Sequence, residues 1–476
     1  MKQSLRLLCT AMLFLAVTPM FSQISNDNED EVNKVNERQI HAFVPGQAIV
    51  KFKDESSIQV QKNAQARFRA ANINTVDKIL RDFEVNDMEK LFPTATPKSQ
   101  SQLRRKAAPN GQIVQESNLD KIFWVKTGIQ SLDSTMQMIK RLQELPEVEY
   151  AEPNYYAYIT ADMPVEIPQS NLQTEEQKVR KVPVSIETTE SVICPNPSNN
   201  PLYDTYQYGI KQQNIHQLWN KPIINKKRPV IAILDTGIDI NHPDLIDNIW
   251  TNAKEADGES AYDDDSNGIV DDVHGWNFAE DYYDLTDHNG HGTHCAGIAA
   301  AVDNAIGIVG ANPLALIMPV KVLTDKGEGD FATIARGIVY AVENGADIIS
   351  MSFGASILSN ALTDAINNAY QTSILIASAG NNGVDIYDRL HGGTLYPAAY
   401  FHVLGVEACG QNLQRASYSN YDPDGPFYSE DGIDGRNYEI QVPGDKIYST
   451  LPNGKYDKLS GTSMSAPLLA GAISAL

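Results

Sequence analysis

The clearest indication of the fold in this chain is the segment Val230-Ile-Ala-Ile-Leu-Asp235. Five apolar residues that end in a carboxylate are typical of a strand buried on both faces of a parallel sheet. Similar apolar runs follow at Ile317–Leu323, Asp347–Met351 and Ile374–Ala379, with helical patterns between them at Phe331–Glu343 and Leu358–Tyr370. This alternation predicts an α/β domain whose mostly parallel sheet is flanked by helices, with functional groups at the carboxyl ends of its strands.

Length, charge and the N-terminal residues limit the kinds of protein that this chain can be. The chain has 476 residues, more than one ordinary domain needs, and its net charge of −22 argues against nucleic-acid or anionic-membrane partners. Residues 1–22 carry a positive start and an apolar run that is too short to span a bilayer. They are expected to be a signal peptide, so the mature chain is expected to be secreted or to reside at the cell surface or in the periplasm, with no membrane span.

Three segments are expected after the signal peptide. Residues 23–160 alternate strand and helix patterns, with a helix expected over Ser56–Ala71, and they predict a small α+β domain. Residues 161–198 are rich in Glu, Lys, Pro, Ser and Thr, which is the composition of a linker. The α/β domain is expected to occupy residues 199–476.

Three cysteines follow residue 22, namely Cys194, Cys295 and Cys409. An odd number leaves at least one thiol free, and Cys295, in the pattern of a buried helix, is expected to be free. Cys194 and Cys409 either form a disulfide bridge or remain two further free thiols, and the sequence is compatible with both alternatives.

Gly461-Thr-Ser-Met-Ser-Ala-Pro467 places Ser463 between a turn and the start of a helix. The N-terminus of a helix presents backbone N–H groups and a partial positive charge. Such a position suits a nucleophile whose attack creates an oxyanion. Serine is also a common helix cap, so this residue alone does not decide between the two roles.

Three earlier residues are candidate partners of Ser463. His291 lies between two glycines, and its usual pKa near 6.5 suits a general base. Asp235 would hold the imidazole in one tautomer, and the Asn381 amide would point at developing negative charge. Singly, Asp235 and Asn381 can be explained as turn residues.

A zinc site is the alternative for His291 and His294. The His-Glu-x-x-His pattern of a metallopeptidase helix does not occur at these histidines. A hydrogen-bonded core histidine is therefore the expected role of His294.

Five segments together resemble the subtilisin-like serine peptidases, the subtilases. They are Asp235-Thr-Gly-Ile-Asp239, His291-Gly-Thr-His-Cys-Ala-Gly297, Ser350-Met-Ser-Phe-Gly354, Ala379-Gly-Asn381 and Gly461-Thr-Ser-Met-Ser-Ala-Pro467. The order Asp, His, Ser is that of subtilisin. The resemblance covers roughly residues 199–476 and implies a subtilisin-like fold, with Ser463 as nucleophile and His291 as base and then acid. Asp235 would orient His291, while Asn381 and the Ser463 N–H would stabilise the oxyanion.

The resemblance also implies the substrate contacts. A protein or peptide substrate would bind as an extended strand between Ser352-Phe353-Gly354 and Gly327-Glu-Gly329. Phe331 would line an outer apolar pocket. Leu395 stands where many subtilases have a glycine on the floor of the primary pocket, which would make that pocket shallow, and an ordinary core position is the alternative for Leu395.

Residues 251–290 contain twelve acidic residues and one lysine, a density that favours a bound cation. Within them, residues 263–272 space their oxygen groups like an EF-hand loop, which suits Ca²⁺. The expected ligands are Asp263, Asp265, Asn267, Asp272 and the Ile269 carbonyl. The alternative is a solvated acidic loop, because the distal Glu of an EF-hand is missing.

A second calcium site is implied by the resemblance alone. Asp303-Asn-Ala-Ile-Gly-Ile308 is similar to the strong calcium loop of subtilases. Its expected ligands are Asn304, the carbonyls of Val302, Ile306 and Ile308, and the carboxylates of Asp244 and Asp204. The alternative is a glycine-containing turn.

Two N-terminal segments, residues 45–53 and 148–154, resemble the pro-domains of secreted subtilases. The resemblance implies that residues 23–160 form a ferredoxin-like domain that assists folding and inhibits the enzyme until it is cleaved. Thirteen residues follow Ser463, where relatives continue further, so the α/β domain is expected to be truncated at its C-terminus. The expected function is a secreted, calcium-stabilised serine endopeptidase made as a zymogen. A catalytically silent binding module and an acyl transferase with an amine acceptor are the alternatives.

Overall fold

A computed structural model describes residues 43–56, 60–62, 68–70, 74–161, 200–219, 227–423 and 438–476. The predicted signal peptide, almost all of the predicted linker and Cys194 lie outside the described residues. Residues Phe43–Leu476 belong to one compact unit. Among the described residues, no helix is long and apolar enough to cross a membrane.

The N-terminal part of this unit is an antiparallel sheet with two helices. Its elements are β1 (Phe43–Phe52), β2 (Val60–Lys62), β3 (Phe68–Ala70), α1 (Asn74–Asp82), β4 (Val85–Lys90), β5 (Arg105–Ala107), β6 (Ile113–Gln115), β7 (Ile122–Thr127), α2 (Leu132–Gln143) and β8 (Val148–Ile159). The strand order β8-β1-β7-β4, with every neighbouring pair antiparallel, is the ferredoxin-like topology that was expected. Apolar residues of β1 and of both helices, such as Val50, Leu80 and Ile139, form its core.

The prediction of a helix over Ser56–Ala71 is wrong. In that range β2 and β3 pair antiparallel, with Val60 opposite Ala70, and the first helix begins only at Asn74. Helix propensity is a weak preference that other contacts of the chain override.

The α/β part follows the predicted alternation. Its elements are α3 (Tyr203–Tyr206), α4 (Tyr208–Gln212), β9 (Val230–Asp235), α5 (Ala253–Asp257), β10 (Trp276–Asn277), α6 (His291–Ala300), β11 (Leu316–Lys321), β12 (Glu328–Asp330), α7 (Phe331–Glu343), β13 (Ile348–Met351), β14 (Phe353–Gly354), α8 (Asn360–Ala369), β15 (Ile374–Ser378), β16 (Leu404–Cys409), β17 (Ile440–Pro443), β18 (Ile447–Leu451), β19 (Lys455–Leu459) and α9 (Thr462–Ser474). Short 3₁₀ turns occupy Leu119–Lys121, Ile215–Gln217, Ile246–Asn248 and Arg389–His391.

Seven parallel strands form the central sheet in the order β10-β11-β9-β13-β15-β16-β17, which confirms the predicted fold class. Every residue of β9 is buried, because its side chains alternate between two cores. Leu234 packs with apolar residues of α7 and α8 on one face, and Ile233 packs with those of α6 and α9 on the other. Parallel strands place their carboxyl ends at one edge, where Asp235 and Ser378 end β9 and β15.

The strand β8 connects the two parts. Its first half pairs with β1, and its end pairs with β12 and β14 of the α/β part, antiparallel to both. The chain therefore inserts its own residues 156–159 as a strand between β12 and β14.

Candidate active site

Asp235 and His291 meet where β9 ends and α6 begins. Asp235 Oδ1 lies 2.7 Å from His291 Nδ1, and both side chains are buried. The same oxygen accepts a 2.7 Å hydrogen bond from the Thr236 N–H. Burial lowers the pKa of His291, but the charge of Asp235 outweighs this and raises that pKa well above its ordinary value. The pair can therefore hold a proton on the imidazole.

Ser463 lies in the first turn of α9 and is fully buried. Its hydroxyl donates to the Ser352 carbonyl at 3.0 Å and lies 2.6 Å from the Thr160 hydroxyl. His291 Nε2 has no hydrogen-bond partner among the described residues. Cys295 contacts both residues, with its Sγ 3.9 Å from His291 Nδ1 and 3.5 Å from the Ser463 carbonyl.

Asn381 and Ser463 both donate to one carbonyl oxygen. Thr160 O accepts from Asn381 Nδ2 at 2.6 Å and from the Ser463 N–H at 3.3 Å. The amide of Asn381 is fixed, because its Oδ1 accepts from the Thr462 N–H and hydroxyl, each at 3.0 Å. Gly461 lets the chain approach, since a Cβ at this position would lie 2.5 Å from Thr160 O. Two N–H donors aimed at one carbonyl can stabilise negative charge on it.

The strand edges predicted to bind substrate enclose residues 156–160. Ile159 N–H donates to the Gly327 carbonyl at 3.0 Å, and Thr160 N–H donates to the Ser352 carbonyl at 3.2 Å. Gly329 lies opposite Ala157, Phe353 opposite Ile159 and Gly354 opposite Tyr158. Sequence reasoning missed Thr160 because its position depends on a contact with residues more than 190 positions away.

The two predicted pocket residues lie on either side of this strand. Phe331 is fully buried at the start of α7, and its ring meets the Tyr155 ring edge-on at 6.0 Å between centroids. Leu395 is buried beside the backbones of Gly354 and Gly380.

The acidic loop brings three carboxylates together. Ligand oxygens of Glu255, Asp263 and Asp265 lie within 4.8 Å of one another. Asn267 donates to Asp265 Oδ2 at 3.1 Å and to Asp272 Oδ2 at 3.0 Å, which holds the loop closed. Glu255 was not among the predicted ligands, and its only signal in the sequence is membership of the acidic stretch. No contact is described for the Ile269 carbonyl.

The second predicted loop folds around Asp244. Asp244 Oδ2 accepts from the Ile308 N–H at 2.8 Å, and Asn304 Nδ2 donates to the Pro243 carbonyl at 3.1 Å. Asp244 Oδ1 is buried and has no hydrogen-bond partner among the described residues. Val302 and Ile306 belong to the same loop, through hydrogen bonds of their N–H groups to Asp244 O and Asn304 Oδ1. Asp204 is exposed on α3.

Both cysteines of the described residues are buried, and so is His294. Cys295 is free as predicted, and Cys409 is also a free thiol. His294 Nε2 donates to the Asp457 carbonyl at 3.2 Å, and burial lowers the pKa of His294 to about 3. These contacts fit the core role expected for His294 rather than a zinc ligand.

A protein family and several known proteins match the chain. The model of the subtilase family matches residues 226–476. Thermitase of Thermoactinomyces vulgaris is 36% identical over 275 residues, which cover 57% of this chain and 82% of thermitase. The thermophilic serine proteinase of Bacillus sp. (strain AK1) is 29% identical over 453 residues, 94% of this chain and 82% of the relative.

A third relative is named as an intracellular protease. The major intracellular serine protease of Bacillus subtilis (strain 168) is 36% identical over 284 residues, 59% of this chain and 78% of the relative. The family match covers more than half of the chain. The chain therefore belongs to the subtilase family, and this membership makes it a serine-type endopeptidase.

Proposed function

We propose that the chain is a secreted serine endopeptidase, made as a zymogen, in which Asp235, His291 and Ser463 form the catalytic triad. The observation that carries the proposal is the carbonyl of Thr160, which accepts hydrogen bonds from Asn381 Nδ2 and from the Ser463 N–H. These two donors surround a peptide carbonyl in the way required of an oxyanion hole. Secretion rests on residues 1–22 of the sequence alone.

The first chemical step is attack of Ser463 on the substrate carbonyl carbon. Ser463 Oγ turns from the Ser352 carbonyl towards His291 Nε2, which takes its proton as the Oγ–C bond forms. The charge of Asp235, 2.7 Å from Nδ1, stabilises the imidazolium. The oxyanion is stabilised by Asn381 and the Ser463 N–H.

Collapse of this intermediate breaks the peptide bond. His291 returns the proton to the leaving amine, and the acyl group remains on Ser463 as an ester. Water then attacks the carbonyl carbon of the ester while His291 takes one of its protons. The second tetrahedral intermediate collapses with cleavage of the Oγ–C bond, His291 returns the proton to Ser463 Oγ, and the acid product leaves.

The first substrate is the chain itself, at the Thr160–Ala161 bond. Thr160 is the residue whose carbonyl faces the oxyanion donors, and residues 156–159 pair with both strand edges as an extended substrate would. After cleavage, residues up to Thr160 remain bound in the cleft and inhibit the enzyme.

Contacts outside the cleft support an inhibitory role for the N-terminal part. Glu152 caps α8 through the Asn360 and Ala361 N–H groups, each at 2.9 Å. Asp364 of α8 accepts from Lys51 at 3.1 Å, from Tyr150 at 2.9 Å and from Ser117 at 2.6 Å. Lys51, Glu152 and Asp364 are buried at this contact, so the N-terminal part stays bound after cleavage.

Calcium stabilises the fold in this proposal. Glu255, Asp263 and Asp265 would hold one ion, with Asn267, Asp272 and the Ile269 carbonyl as further oxygen groups of the loop. Asp244 would anchor a second ion through its unpaired buried Oδ1, with Asn304 and the carbonyls of Val302, Ile306 and Ile308 nearby, and with Asp204 as a more distant predicted ligand. Carboxylate and carbonyl oxygens are the ligands that this hard cation prefers.

A fluorophosphonate label tests the peptidase proposal. Full-length protein and its Ser463→Ala variant are labelled with and without chelator, and the N-terminus of the processed form is sequenced. We expect that both labelling and self-cleavage require Ser463. We also expect a new N-terminus at Ala161. Mature active enzyme beginning near Gln23 would contradict the zymogen, and absence of Ser463-dependent label in calcium-replete processed protein would contradict the peptidase.

A further inference from the structure

The hydroxyl of Thr160 meets a second hydroxyl at the end of the cleft. Thr160 Oγ1 lies 2.5 Å from Ser378 Oγ, and the two hydroxyls share a hydrogen bond. Ser378 is the last residue of β15 and is fully buried. Among the described residues, its hydroxyl bonds to Thr160 alone. Ser378 therefore depends on the bound chain for its hydrogen bond.

Leu395 lies beside Gly354 and Gly380, two glycines of the cleft. If Gly354 carried a Cβ, that atom would lie 3.3 Å from the Cβ of Leu395. Gly354 is the residue opposite Tyr158 in the bound strand. A methyl group on Gly380 would overlap Leu395 Cδ1, and Gly380 directly precedes the oxyanion donor Asn381. The leucine side chain thus fills the gap between the two backbone walls of the pocket. A large side chain on the residue under attack has no room there.

We propose that this peptidase selects threonine or serine as the residue whose carbonyl is attacked, with Ser378 recognising the hydroxyl and Leu395 excluding large side chains. The inference rests on the proposed function, in which Thr160 occupies the position of that residue. Valine has the shape of threonine without its hydroxyl, so it would leave Ser378 buried and unpaired. A site that bonds a substrate hydroxyl discriminates strongly against analogues that lack it, because its own polar group then loses its partner.

The test compares peptides that differ only at the residue under attack. Peptides carry Ala-Tyr-Ile, the sequence of residues 157–159, then Thr, Ser, Val, Ala or Phe, followed by Ala. Active sites are first counted with the fluorophosphonate label, and kcat/KM is then measured on the processed full chain. Thr160→Val in the full chain adds a second readout, the rate of self-cleavage.

The variants are Ser378→Ala, Leu395→Gly and the milder Leu395→Ala. Ser350→Ala is the matched control, since Ser350 is a buried serine on the neighbouring strand β13. We expect kcat/KM for Thr to exceed that for Val by at least about tenfold, the order of cost of an unpaired buried hydroxyl. Ser378→Ala should bring the Thr-to-Val ratio close to one, and Ser350→Ala should leave it unchanged. Leu395→Gly and Leu395→Ala should raise kcat/KM for the peptide with Phe.

Two results separate the proposals. Ser463-dependent label with Phe as the preferred residue, or with a Thr-to-Val ratio unchanged by Ser378→Ala, overturns the specificity inference and leaves the peptidase proposal standing. No Ser463-dependent label and no cleavage of any peptide overturns both.

Discussion

Asn381 Nδ2 lies 2.6 Å from the carbonyl oxygen of Thr160, a residue 221 positions earlier in the chain. This hydrogen bond is made before any chemistry, and the Thr462 groups that hold Asn381 Oδ1 keep the donor in place. A donor fixed in advance costs no reorganisation when charge develops on the oxygen. The relationship also identifies which peptide bond of the chain lies in the cleft.

Removing this donor is expected to slow both self-cleavage and peptide hydrolysis. Asn381→Ala should lower kcat by about 10²–10³, a magnitude known for the corresponding amide in subtilisin. The KM should change little, because the bond strengthens mainly in the transition state. The control is Asn382→Ala, whose amide donates to the His391 carbonyl instead. Equal kinetics of the two variants would contradict the role of Asn381.

Replacing Asp364 should free the enzyme from its N-terminal part sooner. Among the described residues, Asp364→Asn leaves the buried ammonium of Lys51 with only the half-exposed Glu149 as a charged partner. Breaking a buried ion pair costs roughly 3–5 kcal/mol. Peptidase activity should therefore appear at least about tenfold faster after self-cleavage.

The matched control for Asp364→Asn is Asp281→Asn, since Asp281 pairs with Arg336 inside the α/β part. Release measured by the gain of peptide hydrolysis over time should be unchanged in this control. Identical release from Asp364→Asn and unsubstituted protein would show that Asp364 does not hold the N-terminal part.

Calcium should raise the melting temperature through the Glu255 cluster. In a Ser463→Ala background, which prevents self-digestion, chelation should lower Tm, because an ion that binds only the folded state stabilises it by mass action. Glu255→Gln should reduce the calcium-dependent gain, and Asp257→Asn, an exposed neighbour, should keep it. A Tm that does not respond to calcium in the Ser463→Ala protein would refute both metal sites.

Stability should fall on the alkaline side because of Glu439. Burial raises the pKa of Glu439 from 4.5 to about 8, although its carboxylate accepts a hydrogen bond from the Gly405 N–H at 2.6 Å. A raised folded-state pKa means that the native state holds the proton longer than the unfolded chain does. The contribution is complete below pH 4.5 and is lost as the pH rises through 8.

The loss amounts to several kcal/mol at most, since one pKa unit corresponds to about 1.36 kcal/mol. Tm between pH 5 and 9 should therefore fall less steeply in Glu439→Gln than in its Ser463→Ala parent. Glu144→Gln, at an exposed helix end, should follow the parent. Parallel curves for all three proteins would be inconsistent with a partly buried Glu439 whose pKa is raised.

Much of the α/β part could be predicted because its signals are local. Apolar runs of strand length, separated by amphipathic helices, predicted the sheet, with Asp235 at the end of one strand and Asn381 shortly after another. The helix predicted over Ser56–Ala71 failed because pairing between Val60 and Ala70 is a contact that residue propensities do not encode. Glu255 escaped prediction because nothing in its immediate neighbours distinguishes it from other acidic residues.

Short motifs specify the family, the fold class and the candidate acyl-transfer residues one at a time, so all three could be predicted from the sequence. Which carbonyl faces Asn381, and that Ser378 contacts Thr160, became visible in the folded chain. Those choices depend on β8 entering the cleft between β12 and β14. Main-chain hydrogen bonds form whatever the side chains are, so they do not select the register of that strand. The register is set by packing and shape across the whole unit.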